Sequence, residues 1–284
     1  MSNVNKDLFQ ELKKRNPDIQ KITDLINNPS FDPNDTDTYG NSPLMLASEY
    51  GLVDVVKMLL SKGAKINDRN RDDRTPIMLA SYGGHTDVVD MLLSMGVNPN
   101  DKNSDGRSPI MFASIRGRTA VVELLLSRGA NPNDKDNYGS SPILWASGNG
   151  HPDVVNVLLF NGADPNSQDD FKNTPIMLAS GNGYVNIVFL LLLNGANKDL
   201  TNISGQTAFQ LAGNNKKIKD LLSKWPTTMG LAVTEGLDLD AGNKMDLDGF
   251  LRPKPSGGKK GNTKNKKNKK KSSINKRKSS KKRK

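Results

Sequence analysis

The chain has 284 residues and a formal net charge of +11, yet 17 of its 41 Lys and Arg, and none of its 30 Asp and Glu, lie in residues 252–284. Residues 1–251 therefore hold 24 basic against 30 acidic groups, so an acidic body carries a strongly basic end. With no Cys and two His, a disulfide framework, a thiolate metal centre, a Cys nucleophile and any site built on several imidazoles are excluded.

The first residues, MSNVNKDLFQELKKRNPD, mix charged and apolar side chains and contain no continuous apolar stretch of the kind a secretory signal needs. The longest apolar run, Ile187 to Leu193, falls far short of the roughly 18 residues that span a bilayer. The expected setting is a reducing, aqueous one inside a cell, in the nucleus or cytoplasm, and not the secretory route. Within residues 1–36, Leu8, Phe9 and Leu12, then Ile19, Ile22, Leu25 and Ile26, predict two short amphipathic helices.

From there the chain repeats itself. Pro43, Pro76, Pro109, Pro142 and Pro175 are each 33 residues apart, inside SPLMLASEYG, TPIMLASYGG, SPIMFASIRG, SPILWASGNG and TPIMLASGNG. Each string is followed by an apolar segment and a Gly, as in DVVKMLLSKGA and NIVFLLLLNGA. Ser or Thr before Pro predicts an N-cap with Pro at the first helical position, where its missing N–H is not needed. The Gly that closes each string (Gly51, Gly84, Gly117, Gly150, Gly183) predicts the end of a first helix. Val55, Val56, Leu59 and Leu60 then form the apolar stripe of a second helix, ended by Gly63 and its counterparts. The connections, such as NDKNSDGRSP, are rich in the turn formers Asn, Asp and Gly. A sixth, degenerate copy at 205–225 places Ala208 where the proline would stand and keeps Phe209, Leu211, Ala212, Ile218, Leu221 and Leu222.

Helix, turn, helix and an Asx-rich connection with this period resembles the ankyrin repeat. The resemblance implies an all-α solenoid with protruding β-turn or hairpin loops: a capping repeat at 1–36, five repeats at 37–204 and a second cap at 205–225. It implies a monomeric scaffold that holds a protein partner, with no catalytic residue, cofactor or metal. The family's usual His two residues after Pro is replaced here by Met45, Met78, Met111, Leu144 and Met177, which implies that adaptable packing replaces some of the inter-repeat hydrogen bonding. His85 and His151 share one repeat position two units apart, so they cannot converge on a metal and read as structural; Phe112 and Trp145 share a framework position with leucines and read as core.

The family's contact positions are two residues at the turn tip, one before the Ser-Pro or Thr-Pro pair, and two near the end of the first helix. Among the residues that fall there are Tyr39, Tyr50, Arg71, Arg74, Tyr82, Arg107, Ile115, Arg116, Tyr138 and Phe171. Tyr and Arg are enriched in energetic hot spots, and four of the five Tyr occupy these positions. The expected centre of binding is Arg71, Arg74, Arg107 and Arg116 around Tyr82 and Ile115, facing carboxylates or phosphates. The competing reading pairs Arg71 and Arg74 with Asp72, Asp73 or Asp105 on the turns.

Residues 226–252 lose the period and form an acidic, apolar appendix. WPTTM and DLDGFL, followed by a Lys-rich end, resemble the C-termini of ankyrin-repeat proteins of large DNA viruses, which implies an infected host cell as the setting. GGKKGNTK lacks the spacing of a phosphate loop, and the aspartates from Asp238 to Asp248 lack the order and terminal Glu of a calcium loop. Residues 253–284 have too few apolar side chains to offset ordering and are expected to be disordered. Lys276, Arg277, Lys278, Lys281, Lys282, Arg283 and Lys284 form a cluster suited to an import receptor or to nucleic acid; without aromatics they supply phosphate contact and no base readout. A nucleic-acid-associated protein with the tail as its main binding element is the alternative to the scaffold.

Overall fold

The computed structural model describes residues 2–225; the appendix and the basic tail at 226–284 lie outside the described residues. Among the described residues there are fourteen helices and no strand. Helices α1 (Asn3–Leu12) and α2 (Ile19–Ile26) form the first pair, and α3 (Pro43–Glu49) and α4 (Val53–Ser61) the second. The pairs α5 (Pro76–Gly83) with α6 (Thr86–Ser94), α7 (Pro109–Ile115) with α8 (Thr119–Ser127), and α9 (Pro142–Asn149) with α10 (Pro152–Phe160) follow. Then come α11 (Pro175–Gly181) with α12 (Val185–Leu193), and α13 (Ala208–Leu211) with α14 (Lys216–Lys224). First helices neighbour first helices and second helices neighbour second helices, which makes a two-layered solenoid.

The short first helices are buried over most of their surface because each has a first helix on either side and a second helix behind it. In α3, Leu44, Met45, Leu46 and Ala47 are all buried, and the Met or Leu two residues after each proline is enclosed in every unit. The second helices bury a single stripe, Val55, Val56 and Leu59 in α4, while Asp54 and Lys57 face solvent. Each ends at a glycine with φ of 83° to 87° (Gly63, Gly96, Gly129, Gly162, Gly195), around which there is open space. The constraint there is the left-handed backbone and not crowding.

Ser42, Thr75, Ser108, Ser141 and Thr174 stand at the N-cap with Pro in the first turn, as the pattern predicts. Ser42, Thr75, Ser108 and Thr174 take the extended N-cap conformation, but their hydroxyls are buried without a partner. The first turn closes through the backbone instead: the N–H of Met78 donates to the Thr75 carbonyl at 3.1 Å, and that of Met111 to the Ser108 carbonyl at 3.0 Å. The thioether of Met78 lies 3.5 Å from the Thr75 N–H, in the place where a polar side chain would reach it.

Hydrogen bonding between units is abundant, and it comes from three rows of side chains. Asn34, Asn100, Asn133 and Asn166 each donate Nδ2 to the carbonyl of the glycine ending the next second helix, at 3.3, 3.0, 2.8 and 3.2 Å. The same amides accept, through Oδ1, the N–H of Lys65, Asn131, Asp164 and Asn197. A second row runs Arg69 to the Lys102 carbonyl, Lys102 to that of Lys135, and Lys135 to that of Gln168, at 2.8 to 2.9 Å. The third row reaches backward. His85 Nε2 meets the Glu49 carbonyl at 2.7 Å, Arg118 Nε that of Tyr82 at 3.2 Å, and His151 Nε2 that of Ile115 at 3.0 Å. A carbonyl only accepts, so both imidazoles carry their proton on Nε2. The structural reading of the two histidines holds.

The ends are closed differently. At the N-terminus the buried Asn5 amide exchanges two hydrogen bonds with the backbone of Asp32. Glu11, its side chain 1% exposed, accepts the Asp18 N–H and pairs with Lys14 at 2.7 Å and Lys21 at 3.2 Å. The Lys14 hydrogen bond, then that of the Asp18 N–H, lowers its pKa to about 2. At the other end, α12 buries six consecutive apolar residues, Ile187 to Leu192, and Phe189 packs edge-on to Trp225 with ring centroids 5.9 Å apart. Phe209, at a position buried in the five preceding units, is 42% exposed with the Lys219 ammonium 5.0 Å above its ring.

Two outcomes follow from these closures. Asn133→Ala, which removes an acceptor and a donor spanning two units, is expected to cost about 1–3 kcal/mol, read as a lower urea midpoint. Because the folded-state pKa of Glu11 lies below its ordinary value near 4.5, its stabilisation is complete above that pH and is lost as pH falls toward about 2. Glu11→Gln should therefore lower the melting temperature at neutral pH and flatten its decline over that acid range, in melts of the full chain.

Candidate functional site

The exposed face of the first-helix layer is built in three rows. The turn row is set by one Asx residue per unit: Asp37, Asn70, Asn103, Asp136, Asp169 and Asn202. In most units its Oδ1 accepts the N–H groups two and four residues on, as Asp136 does from Tyr138 at 3.0 Å and Ser140 at 2.8 Å. Neighbouring tips are joined by backbone bonds, Arg71 N–H to the Tyr39 carbonyl, Asp170 N–H to that of Tyr138 and Ile203 N–H to that of Phe171. This rigid scaffold holds Tyr39, Tyr138, Phe171 and Ile203 in solvent, with exposures of 68, 52, 57 and 61%.

The middle row holds the arginines before the Ser-Pro and Thr-Pro pairs, each laid against an aromatic ring of the following unit. The Arg74 guanidinium lies 5.4 Å from the centroid of Phe112, and that of Arg107 lies 4.8 Å from Trp145 and 6.0 Å from Tyr138. Phe112 is buried as expected; Trp145 is half-buried, with Nε1 donating to Asp136 Oδ2 at 3.1 Å. Arg74 also faces Asp72 at 3.6 Å, and Arg107 faces Asp105 and the enclosed Asp136, each at 3.6 Å. The competing reading of the arginines is thus correct for Arg74, whereas Asp73 is taken by Arg69.

The lower row is formed by the ends of the first helices. Arg116 is exposed and lies over the half-buried Tyr82 ring, 4.9 Å from its centroid, beside the half-buried Ile115. Neither Arg116 nor the exposed Arg71 has a carboxylate within ion-pair distance among the described residues. In the first unit, burial raises the pKa of Glu49, against the opposing charges of Arg74 and Lys13. Burial and the Glu49 charge raise that of Tyr50. Asp37 is lowered: burial pushes it up, but the Lys13 ammonium at 2.9 Å and the N–H groups of Asn41 and Tyr39 outweigh it.

All ten candidate contact residues are therefore at or near the surface of one layer, but they are not equivalent. Arg74 and Arg107 are braces as well as contacts; Arg71, Tyr82 and Arg116 are the ones that local pairing leaves available. Tyr39 and Tyr50 belong to the first unit, and Tyr138 and Phe171 to the tips of the fourth and fifth. Ile203 and Phe209 are exposed apolar residues that the sequence pattern alone passed over. The basic cluster from Lys276 to Lys284 lies outside the described residues. No group of His, Cys, Asp or Glu among the described residues could hold a metal ion, and no described helix is long and apolar enough to cross a membrane.

A family profile described as ankyrin repeats (3 copies) matches residues 5–103, 77–169 and 143–227. The chain belongs to the ankyrin-repeat family. The crystal structure of the human ASB11 ankyrin repeat domain is similar to it, with a TM-score of 0.70 at 25% identity over 81% of this chain and 100% of that one. No curated protein sequence matches the chain significantly. Ankyrin repeats are in general modules for protein–protein interaction, so the exposed first-helix layer is the surface of interest in this ankyrin stack.

Arg107 is the residue on which structure and surface meet. Arg107→Ala should cost about 1–3 kcal/mol, since it strips the cation from an enclosed carboxylate and uncovers an indole. Urea unfolding followed by tryptophan emission measures both, and a variant as stable as the parent would show that the stack contributes nothing.

Proposed function

We propose that the chain is a non-enzymatic scaffold that captures a partner protein on the concave face of its ankyrin stack. The observation that carries this reading is the Tyr82–Arg116 pair at the ends of the first helices, with Arg71 exposed on a turn tip of the same layer: large hot-spot residues held at the surface, taken up neither by the core nor by a local carboxylate. The partner offers carboxylates or phosphates there, and the chain acts as a monomer. The basic end at 253–284 adds nuclear targeting or polyanion contact. The WPTTM and DLDGFL resemblance makes the setting an infected host cell, in which the partner would be a host protein.

The second reading, a nucleic-acid-associated protein working through its tail, rests on the uneven charge: 17 basic and no acidic residues from 252 to 284. Phosphate contact of that kind is strongly weakened by salt. Alanine at Arg74, Tyr82, Arg107 and Arg116 is expected to abolish capture of the partner while the chain still melts cooperatively. Deletion of 253–284 should leave that capture intact and remove nucleic-acid binding and nuclear accumulation. If the fourfold variant retains its partner and the deletion loses it, the tail is the binding element and the scaffold reading fails.

A further inference from the structure

Three glycines lie within first helices without a left-handed backbone: Gly83, Gly148 and Gly181. Gly83 has a packing reason. A Cβ there would collide with the His85 ring and, at 2.6 Å, with the Glu49 carbonyl oxygen. Gly148 and Gly181 have none: a Cβ on Gly148 would meet only Leu178 at 3.6 Å, and on Gly181 only Leu211 at 3.9 Å, both ordinary contacts. The same repeat position carries Glu49, Tyr82 and Ile115 in the first three units, so the fold accepts large side chains there. Glycine is among the poorest helix formers, and no demand of the fold accounts for its use at these two places. What glycine provides, once conformation and packing are excluded, is close approach of another backbone.

The neighbours of these glycines suit an extended chain. Asn149 and Asn182, exposed beside them, direct Nδ2 to the carbonyls of Trp145 at 2.8 Å and Gly148 at 3.0 Å, which leaves each Oδ1 as an acceptor. One unit earlier, on the same row, stands Arg116 without a carboxylate partner. We infer that units three to five take an extended segment of a partner protein along the ends of the first helices. The segment's Asp or Glu side chain pairs with Arg116, and small residues run over Gly148 and Gly181 with main-chain N–H groups on Asn149 and Asn182. This assignment rests on the concave-face reading and specifies the chemistry of its partner.

The probe is a phage-displayed library of random linear 12-residue peptides, selected on the full chain. The expected consensus is one acidic residue next to a run of Gly, Ala or Ser. Gly148→Leu with Gly181→Leu should weaken selected peptides at least tenfold, Arg116→Ala severalfold, and Gly148→Ala with Gly181→Ala measurably. The alanine pair should melt no lower than the parent, because the site has room for a Cβ and alanine is the better helix former. If peptides depend on the Arg74, Tyr82, Arg107 and Arg116 set but tolerate leucine at both glycines, the extended-segment assignment fails and the concave face stands. If they tolerate both sets, both readings fail. A selection that yields no peptide, or one without acidic enrichment, overturns the assignment and leaves the concave face to the capture experiment.

Discussion

A unit of 33 residues with one stripe on its second helix and a short, nearly all-apolar first helix has no interior of its own. Its apolar surface is closed only by the units on either side, so stability is a matter of interfaces between neighbours. The same holds for its backbone. The last carbonyls of every helix have no partner within the helix, and a stack of short helices has many such ends. The three side-chain rows answer this demand: asparagines take the carbonyls at the ends of second helices, the His85, Arg118 and His151 row takes those near the ends of first helices, and the Arg69 to Lys135 row takes those of the turns. Each bond joins residues 29, 33 or 36 apart, which is to say one unit with the next.

This mutual closure explains the behaviour of the two ends and of the exposed first-helix face together. The first described helix pair is tied by the buried Asn5 and Glu11 contacts, and the last described pair leaves Phe209 42% exposed. In between, positions that serve a neighbour are constrained in residue type, whereas positions that serve none are free to differ. The residue before each Ser-Pro or Thr-Pro pair is Asn41, Arg74, Arg107, Ser140 or Asn173, and the penultimate first-helix position is Glu49, Tyr82, Ile115, Gly148 or Gly181. Variation among units of a single chain thus marks the surface that the fold does not use.

The architecture was legible in the sequence because it depends on periodic signals: prolines 33 apart, glycines that end helices, and apolar stripes. The buried Met45, Met78, Met111 and Met177 and the two histidines that bond across units were legible for the same reason. What was missed was chemistry between units. The loss of the family's usual histidine suggested fewer inter-unit hydrogen bonds, but Asn34, Asn100, Asn133 and Asn166 lie in segments that read simply as turns, although they too recur with the period. The Ser and Thr caps stand where the pattern puts them, with Pro in the first turn; what local pattern does not name is the rotamer, and the first-turn N–H goes to the backbone carbonyl of the cap residue and not to its hydroxyl. At the site, the sequence placed all ten residues on one layer, yet which arginines were braced by aromatics and carboxylates depended on contacts 29 to 38 residues apart, such as Arg107 with Asp136 and Trp145 and Arg74 with Phe112.

The exposed face of the first-helix layer therefore has two halves with different physical characters. In units two and three its surface is enlarged by arginine and aromatic side chains that support one another, so a partner meets a preorganised, charged relief whose ordering cost is partly met within the fold. In units four and five the side chains withdraw, and glycine exposes the helix backbone itself, flanked by amides and by the tips Tyr138 and Phe171. A globular protrusion would gain little from a surface without side chains, because burial of apolar area is what it exchanges for lost freedom. A single extended strand would gain the most, since its main chain can approach closely and donate N–H groups to the Asn149 and Asn182 amide oxygens while one charged side chain is read next door. Sequence alone made the arginine half conspicuous; the glycine half became informative only when the space above each Cα showed that nothing in the fold had asked for it.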